Sequence, residues 1–352
     1  MTVPAPAEVP EEPEPPRRRA APPRQRDAET AARVLRAAWL VLTALGLGAV
    51  AVAWTPLEYP AWLPRAGAVA ITTSYAFGLA SRTGGPRFFA GGLALVGAGG
   101  AVVAKMPVLV AGAAVSTAVL AAVLGVLATR PAARFVGVVR EYAVALAVAG
   151  AGALAVEAYQ PEVSLLRVRY LTLGLSILVA VLIAYRLGGG FHGLGRRGAL
   201  VAVAGVVLLL GTLVYAEALS RWGSDTLVTH VQQMVIDART TLRAVPRPTE
   251  VLVGFPALAW GVFTRARRRQ GWWMTAFGAA GLAVVSVSLL NPRMSLVEAG
   301  LTLLYGGVLG LLLGCVLIRV DAHVTGARGR GARQAEEAAA LRPEPGRMRP
   351  ML

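Results

Sequence analysis

The sequence predicts an all-α integral membrane protein, a polytopic helical bundle of about ten transmembrane helices plus one outer amphipathic helix. Composition is the first reason. The chain is 56% hydrophobic and 15% charged with a mean hydropathy of +0.60, whereas a soluble domain carries roughly a quarter charged residues. Second, the apolar residues gather into ten runs, most near the roughly 17 to 25 residues that cross a hydrocarbon core of about 30 Å. Third, the basic residues alternate. With the N-terminus inside, 26 of the 35 Lys and Arg fall on the inner side, the sense of the positive-inside bias.

Residues 1–32 form the first segment. Pro4, Pro6, Pro13, Pro15 and Pro16 with Arg17, Arg18 and Arg19 cannot bury a core, so a disordered cytoplasmic tail is expected, giving way to helix near Asp27 as N-cap. The bundle occupies 33–320, with spans at 37–54, 66–80, 88–104, 107–127, 135–157, 170–185, 199–218, 249–264, 272–290 and 296–318. Lys105, Met106 and Pro107 divide what would otherwise be one overlong run into a tight hairpin. The eighth span is short and carries Pro256, which predicts a kinked or re-entrant helix.

Between spans seven and eight, residues 219–248 are too long for a turn. Leu227, Val231, Met234, Ala238, Leu242 and Val245 recur at helical spacing, with His230, Gln233, Asp237 and Arg243 off that face. An amphipathic helix on the outer surface is expected, stopped by Pro246 and Pro248. Residues 321–352 read as a flexible basic cytoplasmic tail, drawn to anionic headgroups through Arg328, Arg330 and Arg333.

The net charge of +16 belongs to orientation in the bilayer, because the arginines lie between apolar runs; nucleic acid is not an expected partner, and the lipid bilayer is. One lysine among 34 arginines, with abundant Ala, Gly, Val and Pro, points to a GC-rich bacterial genome and so to a bacterial plasma membrane, both termini cytoplasmic. Cys315 is the single cysteine, which excludes an internal disulfide. No phosphate loop, HExxH site or nucleophile elbow is present, and His192, His230 and His323 lack metal-ligand spacing, so neither metal nor cofactor is expected.

What remains is charge at membrane depth, where an ionisable group is a functional candidate. Glu298 precedes Arg319 by about 31 Å of helix, Glu217 follows Ala199 by about 27 Å and Glu157 follows Glu141 by about 24 Å, which brings all three to the outer interface. Arg167 and Arg169 reach the same level and could hold an anionic group, with Glu157, Glu217, Glu298 or His230 as candidate catalytic residues. The simpler reading is that these charges snorkel to water. Thr72, Thr73 and Tyr75 lie mid-span and are candidates for lining a solute path, although such hydroxyls also bond back to helix carbonyls. Gly306, Gly310 and Gly314 form a smooth ridge for helix packing, within the chain or between copies in a homo-oligomer. At the inner side, Arg140 and Glu141 read as an interfacial ion pair.

Three functions compete. About ten compact spans with small residues at helix contacts is similar to the ten-helix drug and metabolite transporters, built from two inverted five-helix halves, and implies a secondary transporter of a small or lipid-like solute. The long outer segment departs from that pattern. An outer-leaflet transferase or polymerase acting on lipid-linked envelope glycans would explain the outer charges, though the first outer loop offers only Glu58 where many lipid-sugar glycosyltransferases place an acidic pair. A non-catalytic membrane scaffold is the third.

Overall fold

The computed structural model describes residues 23–132, 134–187, 196–267, 272–325, 347 and 350. Among them are eleven α-helices and no strand: α1 (Pro23–Ala51), α2 (Leu63–Thr83), α3 (Arg87–Ala104), α4 (Pro107–Leu127), α5 (Phe135–Ala158), α6 (Leu165–Arg186), α7 (Arg196–Trp222), α8 (Asp225–Leu242), α9 (Phe255–Arg267), α10 (Trp272–Ser286) and α11 (Leu296–Thr325). Short 3-10 turns follow α1 and α10, and a π-helical turn, Thr249–Gly254, precedes α9. Residues 1–22 of the N-terminal tail and 326–346, 348–349 and 351–352 of the C-terminal tail lie outside the described residues, as does His192, whereas residues 321–325, expected in the flexible tail, continue α11 as helix. By contacts the chain divides into Met1–Leu40 and Val41–Leu352. In the first, α1 begins at Pro23, ahead of Asp27. All that follows concerns the second.

Every apolar run holds a helix, and the 225–242 segment is the separate helix α8. By length and apolarity, six helical segments of the described residues can cross a membrane: Thr30–Trp54, Arg87–Ala104, Pro107–Leu127, Phe135–Ala158, Leu165–Arg186 and Leu296–Val324. Ala202–Tyr215 and Met274–Leu290 are apolar but shorter. The reason that α2 falls below this standard is visible in its packing. It carries Thr72, Thr73, Ser74 and Arg82, and most of its length is buried against other helices.

Helices α2, α4, α5 and α10 form the interior, with α6 and α9 against α10 and α11 against α9. Small residues set the spacing. A Cβ on Gly152 of α5 would collide with Ala121 of α4, and the ridge of α11 lies against α9, Gly310 at Phe255 and Gly314 at Ala259. That ridge is therefore filled within one chain. In contrast α3 turns Phe88, Phe89, Leu93, Val96 and Val103 outward, the apolar exposure expected of a lipid-facing helix.

The hairpin between α3 and α4 forms as the residues dictate. Lys105 takes a left-handed conformation at φ 54° and ends α3, and Pro107 occupies the first position of α4, where a missing N–H costs nothing. At the other end of these helices, called here the Arg-rich end, Arg82 is fully buried. Its Nε donates to the Leu127 carbonyl at 2.8 Å and its Nη2 to that of Thr129 at 3.4 Å, so a cation covers the carbonyl end of α4. Arg265 bonds the Thr129 hydroxyl beside it.

Candidate functional site

The predicted site residues fall into separate settings. Thr72 is buried in a hydroxyl knot, 2.6 Å from Thr117 and 2.8 Å from Tyr159, and Tyr75 donates to the Val148 carbonyl at 2.8 Å. Both hydroxyls tie α2 to α4 and α5, while the Thr73 hydroxyl is buried without a partner among the described residues. Glu157 lines a cleft of about 290 Å³ with Trp54, Tyr59, Arg65 and Gln160. Arg65 donates to Gln160 at 3.2 Å and separates that cleft from a second of about 210 Å³ that reaches Lys105 and Glu162.

Glu298, at the start of α11, instead pairs with Arg239 of α8 at 2.5 Å. Tyr305 donates to the Leu242 carbonyl at 3.3 Å, so α8 is fastened to α11 along one side. His230 and Arg167 are exposed, and α8 shows Met234, Val235 and Ile236 to the surroundings. Glu217 belongs to α7, its side chain outside the described set. Arg169 is half-buried and acts electrostatically on Arg247 and Glu250.

Those last two residues form the most unusual arrangement in the bundle. Arg243, at φ 58°, ends α8, and the chain turns inward through Ala244, Pro246 and Pro248. Pro256 then has no N–H for the carbonyl four residues earlier and its ring needs space, so the first turn of span eight widens. Phe255 N–H bonds the Glu250 carbonyl, the i to i+5 step of a π-helix, a form frequent at functional sites.

This turn is seated deeply. A Cβ on Gly306 would come 3.2 Å from Glu250 Oε2, so a glycine is what lets the carboxylate reach α11. Gly306 follows Leu296 by about 15 Å of helix, half the thickness of a hydrocarbon core of about 30 Å. Glu250 is 1% exposed. Its Oε1 accepts from Arg247 Nη1 at 3.1 Å, whereas Oε2 is buried with no hydrogen-bond partner among the described residues. Arg247 also donates to the Val284 carbonyl at 3.3 Å and contacts Met294 Sδ at 3.4 Å. Thr249 joins Thr212 of α7 at 3.2 Å.

From Arg169 a polar line continues down one face of α6. Thr172 and Ser176 lie three and seven residues on, and both hydroxyls are buried without partners among the described residues. Arg247 and Glu250 thus form a polar pair among apolar neighbours, with Arg169 within electrostatic range and one carboxylate oxygen lacking a hydrogen-bond partner among the described residues. Such a set can hold an anion, and the carboxylate can exchange a proton or cation.

In the sequence Arg247 counts only toward the outer charge, and nothing singles out Glu250. The available signal was Pro246, Pro248 and Pro256 around a span too short to be regular, which pulls its edge inward. No group of three or more His, Cys, Asp and Glu that could hold a metal occurs among the described residues. No family model matches the sequence, and comparison with curated proteins and with solved structures returned no significant similarity.

Proposed function

We propose that this chain is a multi-pass bacterial plasma-membrane protein of about ten spans, the Arg-rich end cytoplasmic, that acts as a secondary transporter of a small or lipid-like acidic solute. The observation that carries the reading is Glu250, fully buried beside Gly306 about 15 Å along α11, with one oxygen unsatisfied among the described residues. An ionisable group there costs about 2.5 to 3.5 kcal/mol, and an apolar residue would pack the same space without that cost. Glu250 is read as the coupling carboxylate and Arg169 and Arg247 as the anion-binding pair. Thr172 and Ser176 extend the polar line from that pair along α6. The ten-span count rests on the ten apolar runs of the sequence together with the alternation of arginines, while six described helical segments are long and apolar enough to cross a membrane.

Proteoliposomes carrying the protein and a pH gradient test this with a panel of radiolabelled carboxylates and phosphates. Uptake of at least one member, abolished by Glu250→Gln and weakened in apparent affinity by Arg169→Gln, is the expected result. Failure of every member overturns it. The outer-leaflet transferase remains the second reading, favoured by the clefts beside Arg65, where Trp54 and Tyr59 offer stacking faces and Glu157 a carboxylate. Incorporation of sugar from a lipid-linked donor, sensitive to Glu157→Gln and indifferent to Glu250→Gln, would select it.

A further inference from the structure

The Arg-rich end holds a second buried carboxylate that the transport reading does not use. Glu141, near the start of α5, has a fully buried side chain. Its Oε1 accepts from Nε and Nη2 of Arg140 at 3.0 and 2.8 Å, and its Oε2 from the backbone N–H of Arg130 at 2.9 Å. A further cation arrives from near the C-terminus. Arg347 Nη2 donates to Oε1 and Oε2 at 2.7 and 2.6 Å, and its Nε to the Ala128 carbonyl at 3.1 Å. Pro350 lies beside Gly84, the left-handed residue that ends α2. A Cβ there would sit 3.7 Å from the proline, in ordinary contact.

Chemistry favours an arginine in this position. Ala128 caps the C-terminus of α4, where the helix dipole and unpaired carbonyls concentrate negative charge beside the carboxylate. A guanidinium addresses a carboxylate and a carbonyl together through a rigid, pre-organised fork that a compact ammonium does not match. The contact is also separable from the core. Each Glu141 oxygen keeps a donor when Arg347 leaves, one from Arg140 and one from Arg130, so the vacated seat leaves no orphaned charge. Arg347 itself is 38% exposed, so the seat opens outward.

We infer that Glu141, Ala128 and Arg130 form an arginine-binding seat at the Arg-rich end, and that the C-terminal tail occupies it through Arg347 as a reversible latch across the ends of α2, α4 and α5. This inference is independent of what the bundle transports.

Trypsin provides the test on the full chain in detergent, because the tail offers an internal control. Cleavage after Arg347 is compared with cleavage after Arg333, each normalised to its rate in the urea-unfolded chain. When reclosing outpaces cutting, protection reports the population of the open form, and about tenfold or greater protection at Arg347 is expected. Arg347→Lys keeps the tryptic site but loses the rigid fork that bonds the carboxylate and the carbonyl together, so protection should fall severalfold below that of the unmodified protein. Glu141→Gln should do the same. Equal normalised rates in the unmodified protein overturn the latch, as does protection undiminished by Arg347→Lys. Should Glu141→Gln fail to fold, Arg347→Lys, which leaves the buried carboxylate with its other donors, decides alone.

Discussion

Gly254 of the π-helical turn and Gly281 of α10 meet backbone to backbone: a Cβ built on Gly281 would lie 2.6 Å from the Gly254 Cα. No side chain fits between them. The contact holds the wide turn against α10, and the turn in turn holds Glu250 toward α11. Two glycines on different helices therefore determine how deep a carboxylate sits.

Replacing Gly281 with Ala should lower stability by about 1 to 3 kcal/mol, since backbone on both sides prevents relaxation. Gly310→Ala should cost a similar amount against Phe255. Gly300→Ala on the same helix as Gly310 is the control, because nothing lies within 4 Å of its Cβ position. It should be neutral or gain about 0.5 to 1 kcal/mol from helix propensity. Thermal unfolding of the purified protein in one detergent ranks the three, and equal midpoints would remove the close-packing account.

Docking of α8 rests on polar contacts that are largely open to water. The Arg239 side chain is 52% exposed, so its pair with Glu298 contributes well under about 1 kcal/mol, and Tyr305 adds one hydrogen bond to Leu242. Arg239→Ala combined with Tyr305→Phe should leave the unfolding midpoint within about 2 °C while accelerating proteolysis within 225–242. A large drop in the midpoint instead would mean that α8 is part of the bundle's cooperative unit.

Much of the helix inventory was legible in the sequence because hydrophobic length and proline position are local properties. The run 107–127 coincides with α4, and Pro107 marks its start through its own missing N–H. Span eight read as irregular for the reason found, Pro256. The pairings were not legible. Arg82 reads as a loop-side positive charge, yet it is wholly buried because α4 ends beside it and offers carbonyls. Nothing in the sequence singles out Glu250, because its burial depends on a glycine of α11 and a glycine of α10 far away in sequence. Arg347 reads as one more basic residue of a flexible tail, and only the fold brings it to Glu141. Charge burial is a tertiary property, and periodicity carries no record of it.

Orientation gives a direct experimental readout. In a Cys315→Ala background, Gln233→Cys on exposed α8 should react with a membrane-impermeant maleimide in intact cells, and Arg186→Cys at the Arg-rich end of α6 should react only after permeabilisation. Labelling of Arg186→Cys in intact cells would reverse the proposed topology and place the tail latch on the outside.

The ion pair at the site separates stability from function. Arg247→Met leaves Glu250 buried without its hydrogen-bonded partner, a loss of about 3 kcal/mol, at the low end for a broken buried pair because the positive charge of Arg169 still acts on the carboxyl group. Arg247→Met combined with Glu250→Met removes both charges and fills similar volume, and buried pairs replaced in this way are commonly neutral or more stable. Denaturant unfolding in detergent should therefore show a destabilised single variant and a double variant close to the unmodified protein. If the pair serves only the fold, that double variant keeps full activity in the proteoliposome assay. The expectation is that it folds, reaches the membrane and transports nothing, because the cost of burying an ionisable, half-satisfied Glu250 is retained for the solute. A double variant that is as badly destabilised as Arg247→Met alone would show that the two residues are packing elements whose charges are incidental.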